Sequence, residues 1–90
     1  MSMAGKYWEE VDYFPDGREQ KALCRKFQFK NFSQALEFTN EIGQLAEENN
    51  HHPDINLGWG YVQVWLTSHS EHAITEKDHN LASAIGQIQL

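Results

Sequence analysis

The sequence predicts an α+β domain in which helices cover one face of an antiparallel sheet of three or four strands. Three observations lead there. The segments "LCRKFQFK" and "YVQVWLTS" alternate in the manner of half-buried strands. Two other segments, opening at Asn31 and Thr75, repeat apolar residues at helical spacing behind a capping residue. Strands and helices do not follow one another in the long, regular alternation of a parallel sheet.

Taken in order, Tyr7, Trp8, Val11, Tyr13 and Phe14 mark a first strand or edge segment. It ends at Pro15-Asp16-Gly17, a turn in which Pro presets φ and Gly accepts a positive one. In the next strand Leu23, Phe27 and Phe29 share one face, and Cys24, Lys26, Gln28 and Lys30 the other. Arg25 interrupts the apolar face, which places it near that face's exposed end. Asn31 and Gln34 form a capping-box pair, and Ala35, Phe38, Ile42, Leu45 and Ala46 then recur on one side of a helix of about four to five turns. Gln34, Glu37, Glu41, Gln44 and Glu48 occupy much of its remaining surface. The helix is expected to stop near Asn49-Asn50, because Asn tolerates the left-handed conformation of helix ends and Pro53 forbids continuation. "DINL" reads as extended and Gly58-Trp59-Gly60 as a turn or bulge. In the strand that follows, Val62, Val64 and Leu66 face one way and Tyr61, Gln63, Trp65 and Thr67 the other. Thr75, with Asp78 three residues on, caps a last helix bearing Leu81, Ala82, Ile85 and Ile88 or Gln89.

Ninety residues, 40% hydrophobic and with five Phe, three Trp and three Tyr, suffice for one core and one domain, residues 1–90, with residues 1–5 as a disordered tail. So short a chain leaves much surface wet, and self-association is a common remedy. The net charge of −6 repels phosphate, and the basic residues of "CRKFQFK" are scattered, so direct nucleic-acid binding is not expected. A single cysteine, Cys24, excludes an internal disulfide framework and a cysteine zinc motif, and fits a reducing, cytoplasmic compartment. No apolar run reaches the roughly 18 residues of a membrane span. "MSMAG" lacks the apolar centre of a signal peptide.

The chemistry lies in "EENNHHPDINLGWG", residues 47–60, where two adjacent histidines precede a proline at a helix end. The terminal carbonyls of that helix favour an imidazolium nearby. Glu47, four residues before His51, is within reach of its ring, while Pro53 holds His52 extended, so the two rings diverge. His69 lies just beyond the last strand, in "TSHSEH". If that strand ends beside the helix terminus, three imidazoles converge, and imidazoles transfer protons near neutral pH. Taken singly, each reads as a solvated loop residue, and His72 and His79 keep that reading. Three histidines with Glu47 or Asp54 could ligate zinc, but neighbouring rings beside a proline diverge, and neither H-x-x-x-H nor C-x-x-C occurs. Cys24 falls mid-strand, and no glycine elbow surrounds a serine, which argues against a nucleophile. Trp8, Trp59 and Trp65 are core or interface surfaces, or stacking faces for a flat heterocycle.

The run Glu47, three residues, His51-His52-Pro53, five residues, Trp59, nine residues, His69, eight residues, Asp78 resembles the pattern of the pterin-4a-carbinolamine dehydratases. The resemblance extends upstream through Leu23, Arg25, Phe27, Phe29, Asn31 and Phe32, and downstream through Thr75, Leu81, Ala82 and Ile85. Gly58-Trp59-Gly60 is richer in glycine than the family pattern, and "SEHAIT" stands where a glycine-containing turn is usual. The resemblance implies a four-stranded antiparallel sheet with helices on one face, assembled as dimers or tetramers. It implies dehydration of 4a-hydroxytetrahydrobiopterin to quinonoid dihydrobiopterin, a step in tetrahydrobiopterin recycling, with no metal or organic cofactor. By the same resemblance His51 and His69 match the acid/base pair, and His52 a residue that positions substrate. Backbone around Pro53 and around Ser68, Ser70 and Glu71 would hold the pterin's amide-like edge, with Glu47 and Asp78 orienting groups behind them. Animal members also serve as dimerisation cofactors of a homeodomain transcription factor, a non-enzymatic alternative that leaves the nucleus open as a location. A histidine-only metal hydrolase is the third reading.

Overall fold

A computed structural model of the chain describes residues 7–14 and 16–89. The expected turn residue Pro15 and the expected tail, residues 1–5, lie outside the described residues. The elements are β1 (Glu9–Tyr13), β2 (Gln20–Gln28), α1 (Phe32–Asn49), β3 (Asp54–Gly58), β4 (Tyr61–Leu66) and α2 (Glu76–Gly86). The strands form one sheet in the order β1-β2-β4-β3, and every neighbouring pair is antiparallel. β2 and β3 therefore run parallel, with β4 inserted between them and α1 as the crossover.

Both alternating segments behave as their period requires. Leu23 of β2 pairs with Leu66 of β4, and Phe27 with Val62, so these side chains share the face covered by the helices. Ala35, Phe38 and Ile42 of α1 and Leu81, Ala82 and Ile85 of α2 close over them as one cluster. Phe38 packs against the rings of Phe27 and Phe29 at 4.6 and 5.0 Å between centroids. Burying each large aliphatic or aromatic side chain contributes about 1.5–3 kcal/mol, enough for this cluster to hold helices and sheet together. Arg25 departs from expectation. It pairs with Val64 in mid-sheet, half-buried, with its guanidinium 4.4 Å above the Phe27 ring. Its long stem can be covered while the cation rests on an aromatic face, and burial pushes its pKa down.

The other face of the sheet carries Tyr13, stacked on Trp65 with centroids 5.9 Å apart and planes 8° from parallel. The Tyr13 hydroxyl donates to Asp54 Oδ2, joining β1 to the start of β3 across the two central strands. Trp8 meets Phe27 edge-on, whereas Trp59 stands at the β3–β4 turn, 71% exposed.

Both helix starts follow the sequence. Asn31 Oδ1 accepts from Gln34 N at 2.8 Å, but the reciprocal bond of the expected box shifts by one residue, from Lys30 N to Gln34 Oε1. Thr75 N donates to Asp78 Oδ2 at 2.9 Å. α1 is capped by Asn50, whose φ of 50° and ψ of 41° are left-handed, and the Asn50 N–H returns to the carbonyls of Ala46 and Glu47. Among the described residues no helix is long and apolar enough to cross a membrane.

Candidate active site

The β3–β4 register decides where the histidines go. Asp54 pairs with Trp65, so the chain just before β3 runs beside the chain just after β4. The turn out of α1 thus delivers His51 and His52 to the same end of the sheet from which Thr67, Ser68 and His69 emerge. A bridge between Ser68 and Ala73 then folds the chain back, and α2 starts over that end. The reversal passes through His72 at a φ of 53°, a left-handed conformation that glycine adopts without strain.

The result is a cavity of about 240 Å³ lined by His51, His52 and His69 together with Asn50, Ser68, Ser70, Glu71 and Lys77. A larger hollow, about 520 Å³, lies between the helices around Arg25, Phe27, Phe38 and Ile85, and no histidine lines it. The three histidines singled out in the sequence therefore share the smaller one. None of the three tryptophans lines the histidine cavity.

Each histidine of the pair has its own carboxylate, and the partners differ from the expected ones. His51 Nε2 lies 2.5 Å from Asp78 Oδ1, and that carboxylate is fully buried. Glu47, expected beside His51, instead meets His52, with Oε2 at 2.5 Å from Nε2. The helix ends at Asn49 and the left-handed Asn50 swings the chain away, so the His51 ring leaves the helical register that would have set it over Glu47. Asp78 does two things at once: Oδ2 accepts from Thr75 N and from Ser68 Oγ, both at 2.9 Å, while Oδ1 faces His51. A cap and a histidine anchor are the same group.

Of the other residues singled out in the sequence, Ser70 Oγ donates to Glu71 Oε1 at 2.7 Å on the cavity's exposed rim. Pro53 is half-buried and is not among the lining residues. His79 is exposed on α2, and His72 Nε2 lies 2.6 Å from Arg18 Nη1, away from the cavity. Two lining residues went unread in the sequence, Asn50 and Lys77. Asn50 was legible only as a helix stop, and Lys77 was not singled out; no pattern marked either as facing a cavity. Among the described residues no three His, Cys, Asp or Glu side chains gather as a metal-holding group.

The family model for pterin 4 alpha carbinolamine dehydratase matches residues 2–88. The chain belongs to the pterin-4a-carbinolamine dehydratase family. A protein of Rubrobacter xylanophilus, provisionally named as a dehydratase of this family, is 41% identical over 81 residues, covering 90% of this chain and 69% of the relative. One of Alkaliphilus metalliredigens, named the same way, is 46% identical over 67 residues, covering 74% of this chain and 60% of the relative. The chain thus spans only about 60–69% of the length of these two dehydratase relatives. Among solved structures, a transcriptional coactivator/pterin dehydratase from Brucella melitensis superposes with a TM-score of 0.73 at 38% identity, over 87% of this chain and 77% of that one. A pterin dehydratase-like protein described as a RuBisCO assembly factor of the alpha-carboxysome gives 0.69 at 25% identity, over 88% and 84%.

Proposed function

We propose that this protein dehydrates 4a-hydroxytetrahydrobiopterin to quinonoid dihydrobiopterin and water. The observation that carries the reading is that His51, His52 and His69 line one cavity of about 240 Å³ in a chain of the dehydratase family. In the reaction the bond from C4a to its hydroxyl oxygen breaks, and N5 loses its proton as the C4a–N5 double bond forms. A cationic imidazole supplies the proton that turns the departing hydroxyl into water, and a neutral imidazole takes the proton from N5, so charge and protons balance. Both forms of an imidazole are accessible near neutral pH, and holding two in place is worth about 10²–10⁴-fold each. His51 and His69 act as this pair, and His52, clamped by Glu47, positions the pterin. The rim formed by Ser70 and Glu71 offers polar contacts to the pterin's amide-like edge.

Self-association as a dimer or tetramer belongs to the same reading, since β1 and β3 are sheet edges and an uncovered edge is a template for pairing. The test is direct. His51→Ala and His69→Ala are each expected to lower dehydration by about 10²-fold or more with the fold intact by circular dichroism. Full turnover in either variant removes that residue from the acid/base pair. Wild-type protein that does not accelerate dehydration at all, yet binds a partner protein, would move the assignment to a non-enzymatic role.

A further inference from the structure

We infer that Asp78, Ser68 and Thr75 form a one-directional hydrogen-bond chain that keeps a proton on His51 Nε2, so that Nδ1 is the nitrogen that works on the substrate. Ser68 is then a positioning residue and not a substrate ligand. The argument is an accounting of protons. A carboxylate only accepts. Asp78, fully buried, receives Thr75 N–H and Ser68 Oγ–H on Oδ2, both at 2.9 Å. Having given its single proton to Asp78, Ser68 Oγ must accept in its 2.6 Å contact with Thr75 Oγ1, so the threonine hydroxyl donates. The remaining oxygen, Oδ1, faces His51 Nε2 at 2.5 Å and takes its N–H.

With Nε2 committed to the buried side, the nitrogen left for the cavity is Nδ1. It offers a lone pair when the ring is neutral and an N–H when the ring is cationic. Either half of a proton transfer runs through that one atom, and the carboxylate behind it holds the ring in place without touching substrate.

Ser68 lines the cavity but has nothing left to give it. Its hydroxyl proton goes to Asp78, its N–H to the Ala73 carbonyl at 3.0 Å, and its own carbonyl accepts from Glu71 N at 3.1 Å and Ala73 N at 3.4 Å. The side chain is buried, as its place in a positioning network requires. Thr75 contributes two of the chain's bonds, one from its backbone and one from its hydroxyl, so the start of α2 and the tautomer of His51 are set by the same residue.

The kinetic part of this inference rests on the dehydratase reading; the spectroscopic part does not. Nitrogen-15 spectra of the full chain labelled at histidine, with His51 assigned through His51→Gln, should show His51 as the Nε2–H tautomer. Ser68→Ala should erode that preference and lower kcat by about tenfold with KM nearly unchanged, and Ser68→Thr should restore both. An Nδ1–H tautomer in the wild type overturns the inference. So does a Ser68→Ala variant whose KM rises while the tautomer stays as it was, the mark of a lost substrate contact. Asp78→Asn should abolish the tautomer preference. Because it also weakens the α2 cap, the serine variants carry the test if it fails to fold. Should the wild type not dehydrate carbinolamine, the tautomer alone still decides.

Discussion

Glu47 holds His52 from one turn back, its Oε2 2.5 Å from the imidazole Nε2, yet both side chains are open to water at 79% and 55% exposure. The neighbouring pair, His51 with Asp78, has the same separation but side-chain exposures of only 13% and 0%. Equal distances here do not mean equal energies. Water screens the outer pair, whose net worth is about 0–1 kcal/mol. The inner carboxylate has no water to fall back on, and stripping a donor from a buried acceptor costs about 1–3 kcal/mol.

Glu47→Gln should therefore reduce kcat/KM by less than about fivefold, since 1.4 kcal/mol corresponds to tenfold. The change should appear mainly in KM, because in the proposed reaction His52 positions the pterin and Glu47 supports it. Steady-state dehydration kinetics measure it, and a drop of two orders of magnitude in kcat would make Glu47 a participant in proton transfer.

Tyr13 links pH to stability. Burial first, then the hydrogen bond and the charge of Asp54, raise the pKa of its phenol above the usual value of about 10. The folded chain thus keeps a proton that the unfolded chain gives up. The stabilisation is complete below about pH 10 and is lost as pH rises from there through the folded pKa. Tyr13→Phe retains the stacking surface on Trp65 but not the hydroxyl. Thermal unfolding followed from pH 9 to 11.5 (a range set by the ordinary phenol pKa of about 10) should show the wild type losing Tm more steeply than the variant. Parallel curves would disprove the link.

His72 occupies a left-handed backbone position at a φ of 53°. A side chain there costs about 1–2 kcal/mol, against which glycine loses about 0.5–1 kcal/mol in the unfolded state. His72→Gly should leave Tm unchanged or raise it, even with the Arg18 contact gone. His72→Val should lower stability by about 1–2 kcal/mol, because a branched Cβ tolerates this conformation least. Calorimetry of the two variants decides, and a glycine variant less stable than the valine one contradicts the strain argument.

Dehydration should survive dialysis against a chelator undiminished, because in the proposed reaction imidazoles alone supply both proton steps. The readout is turnover before and after treatment, with elemental analysis of the purified protein. Activity lost to the chelator and restored by zinc would instead favour the metal hydrolase.

Local chemistry was readable along the chain because it depends on near neighbours. The alternation in β2 and β4, the Asn31 and Thr75 starts and the Asn50 stop all rest on contacts within one turn or one strand. The histidine pair before Pro53 and His69 after the strand could likewise be picked out as titratable groups on constrained backbone. Which groups face them was not readable, for a physical reason. The partner of His51 lies 27 positions away and arrives there only because Asp54 pairs with Trp65 and the Ser68–Ala73 bridge reverses the chain. Spacing alone favoured Glu47, since a four-residue separation brings side chains together while a helix lasts. It stops lasting at Asn50, and one left-handed residue reassigns both carboxylates. Sequence determined the elements and the titratable side chains; only the packed sheet decided which carboxylate stands behind which ring, because that depends on strand register and burial, to which a run of neighbours is blind.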